Sequence, residues 1–127
     1  MFLINQEKWM MKKTKEVSFN YRSSDLKINA VVCSGIREGI GLMFKTREKA
    51  VALLFDFKKP VNLLVHSMFV FFPFIAVWLD EKNKVIDVKK IKPFTLGVRP
   101  KKSFNKFIEV PINDKYRNYI KLLFSRR

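Results

Sequence analysis

The chain has 127 residues, 48% of them hydrophobic, and carries 26 Lys and Arg against 11 Asp and Glu, a formal net charge of +15. This length supports one compact domain with a hydrophobic core and is too short for two ordinary ones. One cysteine, Cys33, excludes an intramolecular disulfide, and with one histidine it excludes a Cys/His structural zinc site, so we predict no metal, no cofactor and a reducing cytoplasm.

Residues 1–15 are predicted to form a flexible basic N-terminal segment. Their apolar residues are interrupted by polar ones from Asn5 to Lys8, so they do not make the hydrophobic core of a signal peptide. Translation starting at Met10 or Met11 instead of Met1 is an open alternative. We therefore expect an intracellular protein.

A β-hairpin is the first predicted structure. Apolar and polar residues alternate over residues 26–33, and this strand follows a strand over 16–20 and a turn over 22–25. Ser34 then caps a short helix over residues 35–44, which two internal glycines weaken.

Four more strands and a final helix are expected downstream. The strands are bounded by polar, Pro or Gly residues and cover residues 50–57, 74–79, 85–91 and 104–110. Asn113 caps a C-terminal helix, so that residues 113–127 pack on the domain formed by residues 16–112. The predicted fold is mostly β (α+β): a compact single-domain antiparallel β-sheet or barrel-like core with one or two short helices.

The most apolar run, residues 61–79, is just long enough to cross a bilayer. It contains Asn62, His66, Ser67 and Pro73, and a central proline with unpaired polar groups disfavours a helix in lipid. We predict no transmembrane span, and instead two extended segments that meet at Pro73.

Four motifs occur in a specific order along the chain. They are "GLMF" at residues 41–44, "ALLFDF" at 52–57, "HSMFVFFP" at 66–73 and the hairpin "WLDEKNKVIDV" at 78–88. This series resembles the archaeal branch of the family called domain of unknown function 192, and the resemblance covers residues 17–113.

The resemblance implies a compact, mostly β domain with short helices on one side and no established activity. It also implies a polar residue before the "FP" pair and an Asp two positions after that Pro, where this chain has Phe71 and Ile75. These departures argue against a polar function shared with the family.

An enzymatic reading, a small hydrolase that uses His66, requires a nucleophile near this histidine. The candidates are Cys33 and Ser67. Adjacent residues in a strand point to opposite faces, and a thiol at the end of an apolar strand is usually inert core, so we assign no catalytic residue. A structural histidine that hydrogen-bonds the backbone is favoured over a catalytic one.

The function favoured by the sequence is a non-enzymatic binding or accessory module with an apolar pocket near His66. The motifs gather the candidate pocket residues, for which ordinary core packing is the alternative: Met43, Phe44, His66, Met68 and Trp78. The sequence leaves two kinds of partner open: a small apolar ligand, and nucleic acid or another polyanion.

For nucleic acid, a basic patch would grip phosphates while Phe94 or Phe104 stacks on bases. The positive charge alone does not identify a partner, because a biased amino-acid composition also accounts for it. The candidate patch residues are Lys89, Lys90, Lys92, Arg99, Lys101, Lys102 and Lys106.

Overall fold

The computed structural model describes residues 14–33 and 46–124, in which six strands form one curled, mixed sheet, a half-barrel, with one short helix. The elements are β1 (Thr14–Tyr21), β2 (Ser24–Cys33), β3 (Leu53–Val61), β4 (Phe74–Leu79), β5 (Val85–Ile91), β6 (Phe104–Pro111), a 3-10 turn (Asp114–Tyr116) and α1 (Arg117–Phe124). The predicted β-rich single domain is confirmed. The helix predicted over residues 35–44 lies outside the described residues.

The strand order in the sheet is β1-β2-β3-β6-β4-β5. All neighbours are antiparallel except β2 and β3, which run parallel through Val31, Val32 and Cys33. The sheet is therefore not purely antiparallel. A parallel pair cannot be joined by a tight turn, and nineteen residues, 34–52, separate β2 from β3 in the sequence.

The β1–β2 hairpin turns on only two residues, fewer than predicted. Tyr21 pairs with Ser24, and both residues between them, Arg22 and Ser23, have positive φ angles of 52° and 67°. This is the type I′ geometry, whose twist matches that of two antiparallel strands.

Strand β3 continues past the end that its sequence predicts. The apolar run ends at Phe57, but β3 reaches Val61 through Pro60. Pairing with β6 breaks between Asp56 and Val61, and Lys58 has a φ of 62°. A proline is tolerated there because an interrupted ladder does not need its missing N–H.

The segment before Pro73 is a loop and not the extended strand that we predicted. Its one ladder contact is a bridge between Val65 and Val98, and Phe69 reverses the chain with a φ of 63°. Pro73 thus separates this β3–β4 loop from β4, which occupies the predicted residues. No helix within residues 14–33 and 46–124 is long and apolar enough to span a membrane.

Both faces of the sheet are covered. On one face the β3–β4 loop places Val65, Val70 and Phe72 over a core that includes Trp78 and Phe104. On the other face Tyr116 and Leu123, from the C-terminal 3-10 turn and α1, pack with buried residues of β1, β2, β4 and β6. Strand β4, which is buried along its whole length, contributes to both cores.

Polar contacts cap the C-terminal 3-10 turn and join it to the residues before β3. The Asn113 side-chain oxygen accepts from the Lys115 N–H at 3.1 Å, and the Tyr116 hydroxyl accepts from the Ala52 N–H at 2.7 Å. Burial raises the pKa of Tyr116, although the Ala52 N–H opposes the shift because it favours the phenolate.

Candidate functional site

One buried serine joins the β3–β4 loop to the β5–β6 loop. The Ser67 hydroxyl donates to the Lys92 carbonyl at 2.5 Å and accepts from the Thr95 N–H at 2.7 Å. The Ser67 N–H donates to the Thr95 carbonyl, and the Ser67 carbonyl accepts from the Phe94 N–H, each at 2.9 Å. One residue therefore makes four hydrogen bonds to the other loop.

A second connection lies two residues away. The Val65 N–H donates to the Val98 carbonyl at 2.9 Å, and the Val98 N–H donates back at 2.8 Å. Together with the bonds of Ser67, this pair makes the two loops one hydrogen-bonded unit. The unit rests on the sheet, because Val65 belongs to the core beneath it.

The β3–β4 loop directs its apolar residues both inward and outward. Val65, Val70 and Phe72 are buried in the core, whereas Phe69 and Phe71 are exposed beside them. The inward residues account for the packing of the loop. The outward ones leave much of their apolar surface in contact with water.

Eight large apolar side chains are exposed in the described part of the chain, and six of them belong to these two loops. We call these six the loop surface: Leu63, Leu64, Phe69, Phe71, Phe94 and Leu96. Leu96 is the most exposed, at 81%. A monomer seldom clusters so many exposed apolar side chains without a use for them.

The aromatic part of the loop surface is organised around Phe94. Its ring centroid lies 5.5 Å from that of Phe71 and 6.5 Å from that of Phe69, in edge-to-face contacts with interplanar angles of 68° and 74°. Phe69 and Phe94 both have positive φ angles, 63° and 61°. Bulky residues seldom adopt this conformation, and its strain is typical of positions that the surroundings hold in place.

His66 lies on this unit but does not form a dyad with its neighbours. Its side chain is exposed, and its Nδ1 accepts from the Met68 N–H at 3.2 Å. The hydroxyl proton of Ser67 is donated to a backbone carbonyl. Cys33 is buried in the core.

The residues predicted to line a pocket lie at different depths. Trp78 is fully buried against the rings of Phe104 and Phe107, and among the described residues its indole N–H has no hydrogen-bond partner. Met68 is half-buried and His66 is exposed. Met43 and Phe44 lie outside the described residues.

The predicted basic patch is only partly brought together. The Lys89 ammonium donates to the Arg99 carbonyl at 2.8 Å, and the Lys101 N–H donates to Asp87 at 3.1 Å. Lys106 instead donates to the Asn83 side chain at 2.5 Å. The side chains of Lys90, Lys92, Arg99, Lys101 and Lys102 are exposed.

Two details alter the nucleic-acid prediction. Lys89 and Lys90 are neighbours on a strand and point to opposite faces of the sheet. Of the two aromatic residues expected to stack on bases, Phe94 is exposed but Phe104 is buried in the core. Within residues 14–33 and 46–124, no three His, Cys, Asp or Glu side chains are grouped so as to hold a metal ion.

Sequence reasoning missed most of the loop surface. Of its members, only Phe94 was proposed as an exposed contact residue. Phe71 did carry a signal, because it is an apolar residue at a position where the family resemblance implies a polar one. Leu63, Leu64 and Leu96 gave no comparable signal.

Comparison with known proteins gives a family match over most of the chain. The family described as "DUF192: Uncharacterized ACR" matches residues 20–121. A UPF0127 protein of Pyrococcus horikoshii is 30% identical over 78 residues, which are 61% of this chain and 67% of that protein. A UPF0127 protein of Pyrococcus abyssi is 27% identical over 77 residues, 61% of this chain and 65% of that protein.

Two solved structures share the fold at low sequence identity. A Novosphingobium aromaticivorans protein of unknown function has a TM-score of 0.67 and 12% identity, over 83% of this chain and 77% of its own. A Sinorhizobium meliloti protein described as a candidate transcription regulator has a TM-score of 0.68 and 11% identity, over 84% of each chain. At such identities the likeness shows the fold alone.

Proposed function

The chain belongs to the DUF192 family, whose description names no activity, and from this premise we propose that it is a binding module that contacts its partner through the loop surface. The single observation that carries the proposal is the clustering of six exposed Leu and Phe side chains on two loops that are hydrogen-bonded to each other. The site that we expected as an apolar pocket near His66 is thereby proposed as a surface beside that residue.

The proposal is supported by the free energy that is gained when exposed apolar side chains are buried in a complex. Covering a Leu or Phe side chain that water now reaches stabilises a complex by about 1.5–3 kcal/mol if burial is complete. Because the loops are already fixed to each other, little backbone order has to be gained on binding. A prearranged apolar surface therefore favours association with an apolar partner.

The alternatives receive less support from the same residues. A nucleic-acid role rests on the exposed cations and on Phe94, since Phe104 is buried. A hydrolase role would need Ser67 or Cys33 as the nucleophile, and the first has its proton engaged while the second is buried. We also propose a cytoplasmic location, supported by the single buried thiol, and the division of the chain into residues 1–15, 16–112 and 113–127.

The test uses an uncharged probe, because a charged dye would bind a protein of net charge +15 for other reasons. We expect Nile red fluorescence to rise on addition of the protein. The double variant Leu64→Asn/Leu96→Asn should lose most of that rise. The matched control is Leu122→Asn/Phe124→Asn, which removes two exposed apolar side chains from α1 and should retain the signal.

Thermal unfolding of each variant checks that it is folded. Equal Nile red signals from the loop variant and the wild type would contradict the proposal, as would an equal loss from the α1 control.

A further inference from the structure

The β5–β6 loop contains Lys and Arg but no acids, and the β3–β4 loop, which has no Asp, Glu, Lys or Arg, follows two lysines at the end of β3. Between Asp56 and Asp80 the charged residues are two Lys, and between Asp87 and Glu109 they are seven Lys and Arg. Those with exposed side chains are Lys58, Lys59, Lys90, Lys92, Arg99, Lys101 and Lys102. A partner that complements this region should therefore have both negatively charged groups and an apolar part.

We propose that the loop surface docks on an anionic lipid bilayer, with its Leu and Phe side chains entering the headgroup and acyl boundary and the flanking cations contacting lipid phosphates. This inference rests on the proposed function and names the partner of the same site. Peripheral attachment of this kind combines buried apolar area with attraction to anionic headgroups, and a bilayer supplies both.

The shape of the site favours a soft surface over a groove-binding partner. A side chain that is 81% exposed, as Leu96 is, stands out from the molecule instead of lining a concavity. Leu64 lies beside Gly97, the residue that follows Leu96. A Cβ atom added to Gly97 would be 3.5 Å from the Leu64 side chain. Leu64 therefore lies beside the Leu96–Gly97 segment of the other loop.

Single-stranded nucleic acid fits the same cations but not these apolar residues. Stacking on bases needs open aromatic faces, and leucines supply none. The Phe94 ring makes edge-to-face contacts with Phe69 and Phe71 instead of lying parallel to them as a flat platform. The most exposed side chain of the site, Leu96, would contribute nothing to stacking.

A second copy of the chain is disfavoured by charge. Pairing two loop surfaces would bring the exposed cations of one copy near those of the other. Like charges held close together at an interface oppose association. The partner that satisfies both the apolar and the charged side chains is an anionic bilayer.

The test is sedimentation of the full chain with vesicles of phosphatidylcholine, alone or mixed with an equal share of phosphatidylglycerol. We expect binding to the anionic vesicles to be at least about tenfold tighter than to the neutral ones, and to weaken between about 50 and about 500 mM salt. The Leu64→Asn/Leu96→Asn variant, with unchanged net charge, should bind the anionic vesicles about tenfold or more weakly.

Matched variants separate the contributions of charge and location. Lys92→Gln/Arg99→Gln, in the β5–β6 loop, should weaken binding to anionic vesicles. The control Lys27→Gln/Lys121→Gln lowers the net charge by the same amount, but at β2 and α1. It should therefore bind these vesicles more tightly than the loop variant does. Leu122→Asn/Phe124→Asn should bind like the wild type. All variants are checked for cooperative thermal unfolding.

Several results would overturn the proposal. Unchanged vesicle binding by Leu64→Asn/Leu96→Asn would mean adsorption through cations alone. An absence of vesicle binding, with oligo(dT) binding or dimerisation that depends on Leu64 and Leu96, would replace the bilayer by nucleic acid or by a second copy. If the Nile red signal still depends on the loop surface while vesicles fail to bind, only the lipid inference is lost. If both tests fail, the proposed function is lost as well.

Discussion

Ser67 determines the geometry of the candidate site more than any exposed residue does. It is fully buried, and its hydroxyl satisfies the Lys92 carbonyl and the Thr95 N–H together. Removing this hydroxyl leaves the Thr95 N–H without its acceptor, at a cost of about 1–3 kcal/mol, whereas the Lys92 carbonyl still accepts from the Thr95 hydroxyl at 2.8 Å.

We therefore expect Ser67→Ala to lower the free energy of unfolding by about 1–3 kcal/mol and to raise the rate of amide exchange at Thr95. Urea denaturation and hydrogen exchange measure these two effects. Ser103→Ala is the control, because Ser103 is exposed, and it should change the stability by less than about 0.5 kcal/mol. Equal stability of the two variants would show that Ser67 does not hold the loops together.

Tyr116 makes the stability depend on alkaline pH. Burial raises its pKa in the folded chain, so above about pH 10 the unfolded chain loses this proton before the folded chain does. The contribution of Tyr116 is thus complete below about pH 10 and is lost as the pH rises through the folded value.

Tyr116→Phe should remove this part of the alkaline decline in stability. At neutral pH the variant should also be about 1–3 kcal/mol less stable, because the buried Ala52 N–H loses its acceptor. Urea denaturation between about pH 7 and pH 11 measures both effects. Tyr119→Phe, at a half-buried position, is the control, and an alkaline decline in Tyr116→Phe as steep as that of the wild type would contradict the argument.

The β1–β2 hairpin forms where the sequence predicts it, but the backbone of its turn is strained. Ser23 has a φ of 67°, and a left-handed conformation costs an L-residue about 1–2 kcal/mol. Glycine avoids that strain, although its freedom in the unfolded chain offsets about 0.5–1 kcal/mol.

We therefore predict that Ser23→Gly stabilises the protein by up to about 1 kcal/mol. Ser24→Gly, the same substitution one residue later in β2, should destabilise it by about 0.5–1 kcal/mol because the backbone there is an extended strand. Thermal or urea unfolding compares the two variants. The same sign of effect at both positions would mean that the turn conformation does not limit the stability of the hairpin.

Some elements could be read from the sequence and others could not. β4 and β5 lie at the predicted residues because a polar reversal separates two short apolar runs, and that signal is local. The predicted end of β3 was wrong because Val61 pairs with Phe104 of β6 beyond an irregularity, and this partner is 43 residues further along the chain. The loop before Pro73 was wrong for a related reason, since the bonds that shape it come from the β5–β6 loop.

The candidate site could be predicted only in part for the same reason. The sequence directed the site prediction to the segment around His66, but could not say which of its apolar residues face outward. Period-two alternation would answer that question in a strand, but this segment turns at Phe69. Trp78 was grouped with the site because of its motif, while its position on β4 places it in the core.

At the scale of the whole molecule, the sheet serves as a support that is covered on both faces. One face is covered by the C-terminal 3-10 turn and α1 and the other by the β3–β4 loop, so the sheet itself offers little apolar surface to a partner. The loop unit covers the core with its inner side and presents the loop surface on its outer side. The same two loops thus cover the core and carry the surface that we propose to contact the partner.

The central claim, that the loop surface is the part of the molecule that meets the partner, can be tested with one fluorescent label. Cys33 is buried, so a cysteine introduced by Leu96→Cys can be labelled selectively with an uncharged, environment-sensitive dye. A second protein carries the same dye at Leu122→Cys, an exposed apolar position on α1. Both labelled proteins are titrated with vesicles that contain phosphatidylglycerol. If the loop surface meets the bilayer, emission from the label at position 96 becomes blue-shifted and brighter, and emission at position 122 changes little. Unchanged emission at position 96 while the protein sediments with the vesicles, or an equal response from both labels, would contradict the claim.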